Sequence, residues 1–298
     1  MSQTLTEVAP AKVNLTLHVV AKRDDGYHLL DSLMAFAGIG DVLTAEPADA
    51  LSLTVTGPFS DSLAAALPAG ADNIVLKAGR RLADAVGVTA GAALTLDKRL
   101  PVAAGIGGGS ADAAAALRLL SRLWAVDLPR PDLFALALDL GADVPVCLHG
   151  RAANVSGVGE RLEDAPALPP AWLVLANPLV GVSTPAVFKA RRGRFNLPAP
   201  LTEAPADART LARALSVRAN DLTKAAVSLA PEIGSLLVDL GALEGCLLAR
   251  MSGSGATCWG LFETEAAARA GAARLSEARP DWWATAAPLL SNGQGIRP

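Results

Sequence analysis

Leu100-Pro101-Val102-Ala103-Ala104-Gly105-Ile106-Gly107-Gly108-Gly109-Ser110-Ala111-Asp112 packs four glycines into five residues and then runs into an alanine-rich stretch. Glycine lets a backbone approach a phosphate, and the unpaired N–H groups of a helix's first turn point toward it. The stretch therefore predicts an anion cradle; the plainer alternative is a flexible surface turn. Neither common nucleotide fingerprint fits. A P-loop ends in Gly-Lys-Ser/Thr, and no lysine in this chain follows a glycine. In the dinucleotide pattern a third glycine belongs where Ser110 stands. Ser110 reads either as the cap of the following helix or as a hydroxyl ligand for Mg²⁺.

Working outward, residues 111–125 predict a helix with an apolar face of Ala113, Ala116, Leu117, Leu120, Leu123 and Trp124. Upstream, residues 12–20 alternate: Val13, Leu15, Leu17 and Val19 on one face, Lys12, Asn14, Thr16 and His18 on the other. That pattern predicts a half-buried strand with a polar face. Residues 23–28 read as a turn, 51–56 and 93–96 as strands, and 74–86 as a helix capped by Asp72. Downstream, a helix over 133–140 stops at Gly141. Strands are expected over 172–176, 247–251 and 257–262, the last two flanking a glycine-rich turn, Ser252–Ala256. Helices are expected over 208–215, capped by Asp207, and over 222–229 and 265–278. The elements mix without the regular alternation of a doubly wound sheet, which favours an α+β class. The proline-rich segment near 165–170 is the expected boundary between domains 1–164 and 165–298.

The 298 residues have room for two domains, and 51% apolar with 18% charged residues allows a sizeable core. A net charge of −3 without a basic stripe argues against a nucleic-acid partner. The densest basic run, Arg191-Arg192-Gly193-Arg194, reads as a solvated loop. Mean hydropathy is high, but the uncharged stretch 165–188 holds five prolines and is no spanning helix, so no membrane partner is expected. No basic segment precedes an apolar run at the start, so no signal peptide is expected. Cys147, Cys246 and Cys258 form no CxxC and read as thiols of a reducing cytoplasm. His18, His28 and His149 show no metal-ligand spacing, and no G-x-S-x-G elbow occurs.

Three constellations carry chemistry. Lys12 and Asn14 share a strand face by their i, i+2 spacing, although a solvated sheet face looks the same. Asp143 follows a helix stop, where a carboxylate is often a cap; paired with a lysine it becomes a candidate base. Tyr27, the only tyrosine, and His28 offer a ring and a two-sided hydrogen-bonder to a flat heterocycle, or form an ordinary turn.

Together these segments resemble the GHMP kinase superfamily. Residues 10–17 resemble its first motif, residues 100–116 its second, residues 141–146 its catalytic aspartate segment and residues 251–256 its third motif. The third motif often reads Gly-Thr-Gly; Ser254 departs from it and keeps a hydroxyl. The Arg23–His28 turn resembles that of the members acting on 4-diphosphocytidyl-2-C-methyl-D-erythritol in non-mevalonate isoprenoid biosynthesis, a turn other superfamily kinases lack. The resemblance implies two α+β domains around a cleft, the first like ribosomal-protein S5 domain 2 and the second a ferredoxin-like α/β sandwich. It implies ATP-dependent phosphorylation of the substrate's 2-hydroxyl, with Mg²⁺ and no resident metal. Asp143 would be the base, also touching substrate; Lys12 would be its charged neighbour, and Asn14 would orient the substrate. ATP would contact Asn73, Lys98, Pro101, Ala103, Ala104, Gly105, Ile106, Gly107, Gly108, Gly109 and Ser110. Tyr27, His28 and Phe188 would hold the cytosine. A monomer or weak homodimer is expected. Two alternatives stand beside this: a homoserine- or mevalonate-type kinase, against which Tyr27-His28 argues, and a catalytically silent nucleotide-binding relative, against which Lys12 and Asp143 argue.

Overall fold

The computed structural model describes residues 4–67 and 73–290. The first sheet has seven strands: β1 (Leu5–Asn14), β2 (His18–Lys22), β3 (His28–Ala48), β4 (Ser52–Thr56), β5 (Gly91–Asp97), β6 (Ala153–Gly157) and β7 (Arg161–Asp164). Its spine is β3, 21 residues long, which pairs antiparallel with β1, β2, β5 and β6. The second sheet comprises β8 (Trp172–Asn177), β9 (Leu248–Met251), β10 (Cys258–Phe262) and β11 (Trp283–Pro288), antiparallel in the order β11-β8-β10-β9. Helices α1 (Ser60–Ala66), α2 (Ile74–Val86), α3 (Gly108–Leu123), α4 (Arg130–Leu140) and α5 (Val144–His149) belong to the first half of the chain. Helices α6 (Thr184–Ala190), α7 (Ala208–Ser216), α8 (Thr223–Leu229), α9 (Glu232–Gly241) and α10 (Glu265–Ala278) belong to the second.

Strand alternation sorts the side chains into layers. Along β3, Met34 and Phe36 face a core shared with Ala113, Leu117 and Leu120 of α3. Leu33, Ala35 and Ala37 face the other way, onto Leu173, Leu175, Trp259 and Leu261 of the second sheet. The far face of that sheet, including Val174, Ala176 and Phe262, is covered by residues of α8, α9 and α10. The result is helix, sheet, sheet, helix, with each buried Leu or Phe contributing roughly 1.5–3 kcal/mol.

The α+β class is as expected, and the helices over 74–86 and 265–278 have the expected bounds. Several local readings change. The strand expected over 12–20 is two strands, because the chain turns a corner at residues 15–17 so that both parts pair with β3. Its polar face is not half-exposed: Lys12 is 3% and Asn14 1% exposed, since glycine-rich loops cover it. Helix α3 starts inside the glycine run, with Gly107 at the N-cap in the left-handed region (φ 64°). Ser110 is therefore the third helical residue and not the cap. Asn73 caps α2 through Oδ1, which accepts from Val75 N at 2.9 Å; Asp72 lies outside the described residues. Asp207 caps α7 as expected. Arg191 is not solvated: its side chain folds in beside Asp221 and Phe195, while Arg192 and Arg194 stay exposed. No described helix is long and apolar enough to cross a membrane.

Candidate active site

The end of β1 carries the central pair. Its register with β3 breaks between Pro10 and Lys12, and the Lys12 N–H donates out of the sheet to Ile106 O at 3.0 Å. The Lys12 ammonium reaches Asp143 Oδ2 at 2.8 Å and Asn14 Oδ1 at 2.9 Å. Asp143 stands at the N-cap of α5 without a side-chain cap bond, 37% exposed, whereas Lys12 is buried. A carboxylate that neither caps its helix nor is buried away, held by one ammonium, is free to act on something in solvent. Asn14 is fixed from its other end, where Nδ2 donates to Ser32 Oγ at 2.8 Å and Ser32 Oγ donates to Thr16 O. Beneath the pair, burial pushes the Cys147 thiol up to about 12, and the Asp143 charge adds to the shift. Cys147 thus stays a neutral thiol.

The two glycine-rich loops, far apart in sequence, pack backbone on backbone. Ser252 Oγ accepts from Asn14 N at 3.0 Å and donates to Gly105 O at 2.9 Å. Thr257 N donates to Ala104 O at 3.0 Å. The approach is close enough that a Cβ on Gly105 (φ 75°) would lie 2.6 Å from Gly255 O. A Cβ on Gly107 would lie 3.0 Å from Lys12 Cε. Glycine is needed at both positions, for the backbone conformation and for the space. The C-terminal loop is itself held by Asn220, whose Nδ2 donates to Met251 O and Gly253 O, each at 2.8 Å. So Lys12, Asn14, Asp143 and the loop 104–110 meet at one place. Asn73 lies beside it, since Ile74 sits 3.8 Å from a Cβ built on Gly109. Pro101 is buried at the loop's root, and Ala103 is exposed in a left-handed conformation (φ 52°).

Lys98 lies against the loop from beneath: it is 2% exposed, with Nζ donating to Asp41 Oδ2 and Asp112 Oδ2 and standing 3.1 Å from a Cβ built on Gly108. Two of the three N–H groups of its ammonium are taken by carboxylates. Neither carboxylate was singled out in the sequence. The available signal was Asp112 in an otherwise apolar helix face, because a buried charge must find a partner.

The turn before β3 presents His28 and Tyr27. The His28 ring stacks on Phe188 of α6 at 5.0 Å between centroids and 22° between planes. Burial, then the charges of Lys22 and Arg191, hold His28 below the ordinary imidazole value. Tyr27 is 65% exposed and joins no ring stack among the described residues. Because β3 alternates, His28, Leu30 and Ser32 share a face, and Ser32 touches Asn14. At ~3.3 Å per residue, about 13 Å of strand separates His28 from Ser32, the residue beside Asn14.

The family pattern of the GHMP kinases N terminal domain matches residues 73–151, and that of the GHMP kinases C terminal domain matches residues 201–281. A 4-diphosphocytidyl-2-C-methyl-D-erythritol kinase of Paramagnetospirillum magneticum is 62% identical over 283 residues, covering 95% of this chain and 98% of that protein. A crystal structure of 4-(cytidine 5'-diphospho)-2C-methyl-D-erythritol kinase superposes with a TM-score of 0.77 at 37% identity, over 96% of this chain and 99% of the other. A homoserine kinase from Cytophaga hutchinsonii superposes with a TM-score of 0.73 at 19% identity, over 99% and 97% of the two chains, and shares the fold.

Proposed function

The chain belongs to the 4-diphosphocytidyl-2-C-methyl-D-erythritol kinases of the GHMP kinase superfamily, and from that premise we propose how its residues divide the transfer of a phosphoryl group from ATP. The enzyme is an ATP-dependent small-molecule kinase of isoprenoid precursor biosynthesis. The acceptor is the 2-hydroxyl of the methylerythritol unit. Asp143 takes the hydroxyl proton, the freed oxygen attacks the γ-phosphorus, and the bond to the β–γ bridging oxygen breaks to release ADP. The observation that carries this reading is the 2.8 Å contact between Lys12 and the half-exposed Asp143, at the foot of the glycine loop. Lys12 keeps the carboxylate ionised and offsets charge on the attacking oxygen. Asn14 orients the hydroxyl.

Residues 103–110, with Pro101 at the root, cradle the phosphates through backbone N–H groups at the start of α3, and Asn73 borders the nucleotide. Positioning and charge neutralisation are most of what phosphoryl transfer requires. Among the described residues no cluster of three His, Cys, Asp or Glu side chains fits a resident metal. Mg²⁺ is proposed to arrive as the counter-ion of ATP, with Ser110 as the hydroxyl that the cradle itself offers. The cytosine binds at Tyr27, His28 and Phe188, and the length of β3 between His28 and Ser32 leaves room for ribose and diphosphate. A division into domains 1–164 and 165–298 is supported by the two sheets, which end and begin at Asp164 and Trp172. The free cysteines suit a cytoplasmic enzyme, and a monomer or weak homodimer is proposed.

The test is ADP release in a coupled assay with 4-diphosphocytidyl-2-C-methyl-D-erythritol, run beside mevalonate, homoserine and galactose. Turnover is expected with the cytidyl substrate alone. Turnover with another alcohol and none with the cytidyl compound would overturn the assignment of the acceptor.

A further inference from the structure

Asp41, Lys98 and Asp112 form a buried row beneath the glycine loop, each on a different element: β3, the residue after β5, and α3. Lys98 Nζ donates to Asp41 Oδ2 and, at 2.8 Å, to Asp112 Oδ2. The other Asp41 oxygen accepts the N–H of Arg99 at 2.6 Å and of Leu100 at 2.8 Å. The chain leaves this point as the loop 99–107 and returns to it at Gly108, where a Cβ would lie 3.1 Å from Lys98 Nζ. Asp112 is four residues beyond Gly108 and so on the same face of α3. The loop begins and ends on one ion cluster, while its tip is held separately by Lys12 N, Ser252 Oγ and Thr257 N.

We propose that Asp41 and Asp112 are positioning residues for nucleotide phosphate: through Lys98 they clasp both ends of the loop and set the spacing of the N–H groups that open α3. This rests on the reading that the loop cradles the ATP phosphates. The clasp also bears on charge. Burial pushes Asp112 up to about 8, against the pull of Lys98 and with a further push from Asp41. Burial opposes the charge on Lys98 as well, but the two carboxylates outweigh it and hold the ammonium above the ordinary lysine value. Asp112 enters the clasp through one oxygen, as the acceptor for Lys98 Nζ in a fixed place, and an asparagine oxygen can fill that place too.

The experiment measures adenosine, ADP and ATP binding calorimetrically, with Mg²⁺, for the wild type, Asp112→Asn and Asp112→Leu. Asp112→Leu leaves Lys98 paired one to one with Asp41, so cooperative folding is expected. It should weaken ATP and ADP about tenfold, the worth of one charged hydrogen bond, and leave adenosine within about threefold. Asp112→Asn should bind all three ligands within about threefold of the wild type. Wild-type ATP affinity in Asp112→Leu overturns the clasp, as does equal loss of adenosine and ATP. So does an Asp112→Asn variant as weak as Asp112→Leu. If Asp112→Leu does not melt cooperatively, Asp112→Ala replaces it, removing the acceptor without adding bulk and keeping the Lys98–Asp41 pair, with the same expectation and the same refutations. A wild type that binds adenosine as tightly as ATP removes the phosphate reading itself, a result distinct from failure of the clasp.

Discussion

Asp143→Asn preserves side-chain size and removes the negative charge 2.8 Å from the Lys12 ammonium. Two consequences separate in magnitude. For stability, Lys12 keeps Asn14 Oδ1 as an acceptor at 2.9 Å, and the new amide oxygen can accept as well. A hydrogen bond to a charged group is worth ~1.5–3 kcal/mol. Asp143 is 37% exposed, so solvent screening cuts the loss to about 1 kcal/mol. A domain of ordinary size then melts roughly 2–4 °C lower. For chemistry, an amide does not take up the proton of the attacking hydroxyl. Losing a general base costs ~10²–10⁴ in rate, about 3–5 kcal/mol of barrier. The assay is steady-state ADP release at saturating ATP and cytidyl substrate, with calorimetric ATP binding and a thermal melt on the same protein. The expected result is kcat lower by ~10²–10⁴, ATP affinity unchanged and a small fall in Tm. A kcat within about tenfold of the wild type refutes the base assignment. A melt lowered by tens of degrees would mean that the pair is structural.

Three further outcomes are expected. Gly105→Ala places a Cβ 2.6 Å from Gly255 O at φ 75°, so left-handed strain and overpacking together should cost about 2–5 kcal/mol in urea unfolding; a wild-type midpoint would contradict the loop-on-loop packing. Ser252→Ala orphans the Asn14 N–H and should destabilise by about 1–3 kcal/mol and lower kcat, with cytidyl KM little changed; a rise in that KM alone would place Ser252 in substrate binding instead. His28 should titrate below the ordinary imidazole value in an NMR pH series, neutral at pH 7 and protonating only on further acidification. Lys22→Gln removes one of the charges that hold it down and should move the titration upward, and a downward move would refute that cause.

How much of this was legible before folding depends on the range of the information. Helices such as α2, α10 and the body of α3 were readable because helix propensity and 3.6-residue periodicity are local. Lys12, Asn14, Asp143 and the glycine loop each lie in a short motif, but their residue types also fit a solvated sheet face, a helix cap and a surface turn, and it is the order of the motifs that resembles the family. Strand β3 was not read, although it is the spine of the first sheet, because its 21 residues face two different cores and so lack simple alternation. The burial of the polar face of β1 was not readable either, since alternation reports two faces and not what covers each.

The sequence by itself determined the repertoire of this protein: a glycine-rich helix start, a lysine and a carboxylate, and an aromatic turn. The tertiary structure decided which of these meet. It joined Ser252 to Gly105 and Asn14 across the two halves of the chain, and put Asp143 on Lys12. It also set Lys98 between Asp41 and Asp112. The physical reason is that a buried charge takes its partner from whatever the packing brings within about 3 Å, whatever the distance along the chain.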